Sequence, residues 1–156
     1  MNPEQLRERA WSPSVPPEPL PSVHPVAMPV RVLLAEDDRE LRLLLATALR
    51  RDGYEVLEAR DANHLLELMG DALVSGGGAP ADVVVSDIRM PGRSGLELLA
   101  GLRRDDWATP VVLITAFGDP ETHAEAYRLG ADAVLDKPLD VDDLRVVVQT
   151  LASMRG

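Results

Sequence analysis

The sequence predicts an α/β domain, a doubly wound five-stranded parallel sheet with helices on both faces. Three observations carry this expectation. Short apolar runs rich in Val, Leu and Ile alternate with amphipathic segments of about 10–15 residues, the pattern of buried parallel strands joined by helices. Polar residues recur where those runs stop, as Glu36-Asp37-Asp38, Asp87, Thr115 and Lys137. Two of the helical patterns end on Gly53 and Gly130, a common stop signal. Five βα units in about 125 residues suit the flavodoxin-like strand order 2-1-3-4-5.

Taken in order, Val32–Ala35 reads as the first strand, and Asp38 as the N-cap of a helix whose apolar stripe is Leu41, Leu44, Leu45, Ala48 and Leu49. Tyr54–Ala59 is strand-like and Asp61 to about Leu73 helical. The glycine-rich stretch Ser75–Pro80 lacks the Lys-Ser/Thr of a nucleotide loop and precedes a strand rather than a helix, so it reads as a linker. Asp82–Ser86 is the third strand, Gly95–Arg104 a helix, Val111–Thr115 the fourth strand and Pro120–Leu129 a helix. Ala131–Leu135 and Val141–Met154 complete the pattern as strand and helix. Trp107, between a helix and a strand, reads as an edge packing residue.

Residues 1–29 stand apart from this domain of residues 30–156, holding eight of the 13 prolines and no glycine. Proline fixes φ and removes backbone donors, so this tail is expected to be extended or disordered. A turn around Leu6, Ala10 and Trp11 could dock on a partner, although a frayed end is the commoner outcome.

Composition narrows the function. A hydrophobic content of 46% with only 3% aromatic implies an aliphatic core. A net charge of −10 argues against direct nucleic-acid binding, which needs a basic face. The absence of cysteine removes disulfides, thiolate metal sites and thiol nucleophiles. No membrane span or signal-peptide stretch is evident, so a cytoplasmic setting is expected. Lys137 is the only lysine, every other member of the 16 Lys and Arg being Arg. Ammonium is a compact point charge where guanidinium is a wide fork, so the position either requires that shape or reflects compositional bias alone.

In a doubly wound sheet, function gathers beyond the carboxyl ends of the strands. Glu36, Asp37 and Asp87 would meet there with Thr115 and Lys137. Bare carboxylates a few ångströms apart repel by about 4 kcal/mol per pair at an effective dielectric near 20, so a cation belongs among them. Oxygen donors suit Mg²⁺, and no His or Cys at these ends suggests zinc. A carboxylate beside a metal, faced by a hydroxyl and an ammonium, suits phosphoryl transfer to Asp87 with an acyl phosphate as product. Any one of these acids alone would read as a helix cap or loop decoration. Four strand ends together make that reading improbable.

The segments VLLAEDD, VVSDIRMPGRSGLELL, PVVLITAFGD and GADAVLDKPLD, in this order and spacing, resemble a response-regulator receiver domain over about Val30 to Met154. The resemblance implies that Asp87 accepts a phosphoryl group from the phosphohistidine of a sensor histidine kinase or a histidine phosphotransfer protein. It makes Asp37 a direct Mg²⁺ ligand, with Glu36 acting through a metal-bound water and Arg89 offering its backbone carbonyl. Thr115 would hydrogen-bond the phosphoryl group, Lys137 would ion-pair with it, and the Lys137–Pro138 bond would be cis.

The sequence departs from the receiver pattern at Val134, where an aromatic or His ring usually relays the signal. Phe117 either screens the acyl phosphate from water or packs on its loop. His24, His64 and His123 are expected to lack matched partners, against a phosphotransfer histidine.

The expected function is therefore a stand-alone phosphorylation-dependent regulator, with output by contact with a protein target or through a phosphorylation-linked homodimer. It would catalyse only its own phosphorylation and dephosphorylation. A scaffold working without phosphate is the alternative that Val134 favours. A Mg²⁺-dependent aspartate-nucleophile phosphohydrolase ranks last, because Arg89 stands where such enzymes place a second Asp as general acid.

Overall fold

A computed structural model describes residues 29–74, 81–116 and 118–154. The elements run β1 (Arg31–Ala35), α1 (Arg39–Arg51), β2 (Glu55–Ala59), α2 (Ala62–Val74), β3 (Val83–Asp87), α3 (Gly95–Arg104), β4 (Val111–Thr115), α4 (Pro120–Arg128), β5 (Ala133–Asp136) and α5 (Val141–Ser153). All pairings are parallel and the order is β2-β1-β3-β4-β5, as the alternating pattern predicts. The proline-rich tail to residue 28, the stretch Ser75–Pro80 and Phe117 lie outside the described residues.

Strand side chains alternate between faces, and the core divides accordingly. Val32, Leu34, Val83, Val85, Val112 and Ile114 pack with Leu45 and Leu49 of α1 and with Leu144 and Val148 of α5. Leu33, Val84, Leu113 and Val134 pack on the other side with α2, α3 and α4, through Leu65, Leu98, Leu99 and Ala126 among others. Trp107 packs half-buried against this second cluster, as expected of an edge residue.

Four of the five strands differ from expectation by one or two residues at an end, and two of these shifts have clear local reasons. β3 runs through Asp87, which pairs with Ile114, and the next amide, Ile88 N–H, still donates to the Ile114 carbonyl at 2.8 Å. Asp87 is thus the last residue of a strand rather than the first of a loop. β5 begins at Ala133, two residues late, because the Ala131 amide closes α4 by donating to Ala126. The preceding Gly130 has φ 106°, a conformation that suits glycine.

Candidate functional site at the carboxyl edge of the sheet

Each site residue is aimed by the element that ends beside it. Asp38 caps α1, its carboxylate accepting from the amides of Glu40 and Leu41 at 3.0 and 3.2 Å. Glu36 and Asp37 fill the two positions between β1 and that cap. The Glu36 amide donates to the Ala59 carbonyl on β2 at 3.1 Å, and the Glu36 carboxylate accepts from the Asp38 amide at 3.1 Å. These bonds fold the Glu36 side chain inward, where it is 1% exposed.

Asp87 is 3% exposed, and one of its carboxylate oxygens accepts from the Arg89 amide at 3.3 Å. Behind it, α3 begins at Gly95, whose amide donates to the Ile88 carbonyl at 2.8 Å. Ser94 caps α3 by accepting from the Glu97 amide. Ser86, also buried, donates its hydroxyl to the Asp87 carbonyl at 2.9 Å.

Lys137 follows β5, and its amide donates to the Thr115 carbonyl at 2.8 Å, which ties the ends of β4 and β5 together. The Lys137–Pro138 bond is cis, as the resemblance implies. Lys137 Nζ lies 2.8 Å from Asp87 Oδ2 and 3.6 Å from Glu36 Oε2, bridging the two buried carboxylates. Burial alone would lower the Lys137 pKa, but the hydrogen bond and charge of Asp87, aided by Glu36, raise it. Thr115 is buried at the end of β4, one residue beyond the partner of Asp87.

Glu36, Asp37 and Asp87 each place a carboxylate oxygen within 4.8 Å of the others. The donors are all oxygen, which fits a hard divalent cation. Glu36 Oε2 is buried without a hydrogen-bond partner, an atom whose desolvation a cation or its water shell would relieve. The Arg89 side chain is exposed, and it lines a shallow depression beside the cluster with Asp37, Met90, Pro91 and Ser94.

Burial first, then the charge of Asp87, pushes the Glu36 pKa from its ordinary 4.5 up to about 7. Between those values the native protein holds a proton that the unfolded chain has lost. Its contribution to stability is therefore fully present below about 4.5 and is lost as pH rises through about 7. Glu36→Gln is expected to flatten this slope in the metal-free protein. At pH 8 the variant should be more stable than wild type by on the order of 2 kcal/mol. Urea denaturation in EDTA at pH 5 and pH 8 measures both, and a variant slope equal to that of wild type would refute the assignment.

The structure brings Glu36, Asp37, Asp87 and Lys137 together and sets Thr115 and Arg89 at the same edge. Val134 is 9% exposed, pairs with Leu113 and packs in the core on the α4 side. One expectation is corrected. His123 does have a partner, since its Nε2 lies 2.7 Å from Asp136 Oδ1, and His64 Nδ1 faces the Arg60 amide at 3.2 Å. The Asp136 carboxylate fits because residue 118 is Gly, where a Cβ would fall 1.9 Å from Asp136 Oδ1. His24 lies outside the described residues. Helix α4 runs back antiparallel to β5, so the His123–Asp136 meeting was a consequence of the fold, and no local motif announced it.

An open parallel sheet with an acidic pocket and one ammonium at its carboxyl edge defines a small class of α/β domains. Within that class, the chain belongs to the response regulator receiver domain family, whose model matches residues 32–149. This makes it a domain of phosphorylation-dependent two-component signalling rather than a conventional enzyme. It is 37% identical over 126 residues to the regulatory protein AtoC of Escherichia coli (strain K12), covering 81% of this chain and 26% of that protein. It is 38% identical over 127 residues to the transcriptional regulatory protein TcrA of Mycobacterium tuberculosis (strain ATCC 25618 / H37Rv), covering 81% and 47% respectively. The chain thus spans between about a quarter and a half of these curated relatives. Among solved structures, the chemotaxis protein CheY4 of Vibrio cholerae superposes with a TM-score of 0.69 at 28% identity, over 80% of this chain and 99% of that one. No described helix is long and apolar enough to cross a membrane.

Proposed function

We propose that Asp87 is the phosphoacceptor of a receiver domain that takes its phosphoryl group from a sensor histidine kinase or histidine phosphotransfer protein. The contact that carries this reading is Lys137 Nζ at 2.8 Å from Asp87 Oδ2, with two further carboxylates beside it. An Asp87 oxygen attacks phosphorus, the P–N bond of the donor phosphohistidine breaks, and the imidazole leaves with the bond's electrons and takes up a proton. Water later hydrolyses the acyl phosphate, returning carboxylate and inorganic phosphate. These two steps on its own side chain are the whole of its catalysis.

Asp37, Asp87 and the Arg89 carbonyl would hold Mg²⁺, with Glu36 acting through a bound water. The metal would supply charge neutralisation of the phosphoryl oxygens when bound. Lys137 orients and neutralises the same group, and Thr115 donates its hydroxyl to it. Arg89, two residues after Asp87, offers no proton to a leaving group, against a phosphohydrolase. Output is by contact with a protein target in a cytoplasmic setting. A receiver-like scaffold that works without phosphate is the second reading, favoured by the buried aliphatic Val134.

Incubation with Mg²⁺ and acetyl phosphate, followed by intact-mass measurement, tests the reading. A single phosphoryl adduct is expected, absent in Asp87→Asn. Failure to form any adduct would favour the scaffold, and sustained turnover of small phosphate esters would favour the hydrolase.

A further inference from the structure

We propose that Arg42, outside the acidic cluster, is the positioning residue that fixes the metal-binding loop. The inference rests on the Mg²⁺ reading of that cluster. Arg42 lies in the first turn of α1, and its Nη1 donates to the Glu36 carbonyl at 2.8 Å, reaching back six residues. Its Nε lies 3.4 Å from Glu58 Oε1 on β2, while Arg50 Nη1 holds the other oxygen of Glu58 at 3.1 Å. Arg50 is in turn anchored by donating to the Val56 carbonyl at 2.8 Å. The Arg42 side chain is 16% exposed, so the fork is shielded from competing water.

The consequence is geometric. The Glu36 carbonyl belongs to the Glu36–Asp37 peptide, whose plane sets the direction in which Asp37 presents its carboxylate. The Glu36 amide and side chain are already held by Ala59 and Asp38, and Arg42 adds a hold on the carbonyl of the peptide that follows. Arg42 grips it and is itself gripped from β2. A planar fork can address two acceptors in different directions with one rigid group, which an ammonium cannot do as well. Outer-shell partners of this kind typically govern metal affinity by about 10–100-fold.

Isothermal titration with Mg²⁺ alone tests the inference without any phosphorylation readout. Arg42→Gln is expected to weaken Mg²⁺ binding at least about tenfold. Arg51→Gln removes an equal charge from an exposed position in the last turn of the same helix, away from Glu58 and the Glu36 carbonyl, and it should bind Mg²⁺ as wild type does. Glu58→Gln should weaken binding in the same direction as Arg42→Gln, and the two changes together should cost less than their sum, because they act through one clamp. Equal affinity in Arg42→Gln and wild type overturns the proposal, as does an equal loss in Arg51→Gln, which would indicate a general effect on α1. Absence of Mg²⁺ binding in wild type itself would overturn the metal reading and this inference together, whereas an unaffected Arg42→Gln beside a binding wild type removes only the inference.

Discussion

Lys137→Met is expected to abolish detectable acyl-phosphate formation and to destabilise the metal-free protein by about 3 kcal/mol above neutral pH. Lys137 Nζ is the cation between Asp87, 3% exposed, and Glu36, 1% exposed, at 2.8 and 3.6 Å. Breaking a buried ion pair from one side leaves the other charge desolvated and unpaired, which costs more than the pair itself contributes. Methionine keeps the apolar stem and removes only the charge, so lost packing does not confuse the result. The charge of Lys137 holds the Glu36 pKa down, so without it Glu36 takes a proton more readily and the cost shrinks as pH falls. Millimolar Mg²⁺ should restore much of the lost stability, because a cation of another kind then occupies the same field. Lys137→Arg separates charge from shape. It should stabilise the apo protein and bind Mg²⁺, yet be impaired in phosphorylation, because the fork crowds a pocket meant for metal and phosphoryl group. Melting curves in EDTA and in Mg²⁺, with acetyl phosphate labelling, read all of these. Normal labelling of Lys137→Met would leave the sole lysine a compositional accident.

The sequence carried the parts of the fold that depend on local pattern. Val111–Thr115 reads as a buried strand because five apolar or β-branched residues occur in a row, and it forms that strand residue for residue. Asp38 reads as a cap from its position before an apolar stripe, and it caps α1. The membership of the site was legible for a related reason, since parallel strands deliver their last residues to one edge. What was not legible depends on contacts between segments. The burial that lifts Glu36 toward neutrality comes from the packing around it, not from its neighbours in sequence. His123 meets Asp136 only once α4 has folded back beside β5, over a glycine that makes room. Arg42 looks like any polar residue on an amphipathic helix until β2 brings Glu58 up to it. Even the placement of Asp87 in strand rather than loop came from pairing with β4, which no reading of VVVSD alone supplies.

Gly95 is the second residue whose replacement should have a large effect, and its part in the site is purely steric. A Cβ built there would lie 2.4 Å from the Asp87 carbonyl oxygen, 3.0 Å from Ile88 Cα and 3.1 Å from the Asp87 carbonyl carbon. All three are backbone atoms, so no side-chain rotation can relieve the overlap. In a helix, alanine would gain up to about 1 kcal/mol over glycine. Overpacking against fixed atoms costs about 1–3 kcal/mol and sometimes more, and contacts this short belong at the upper end. The clash therefore outweighs the propensity, and Gly95→Ala should lower the melting temperature by roughly 10 °C. The displaced atoms belong to Asp87, so the variant should also lose acetyl phosphate labelling under conditions where it remains folded. Gly70→Ala on α2 is the matched control, because a Cβ there meets nothing within 4 Å. It should be neutral or slightly stabilising and label normally. If Gly95→Ala were as stable as Gly70→Ala, the end of β3 would have to move freely, and the rigid placement of Asp87 against Lys137 could not be what sets its reactivity.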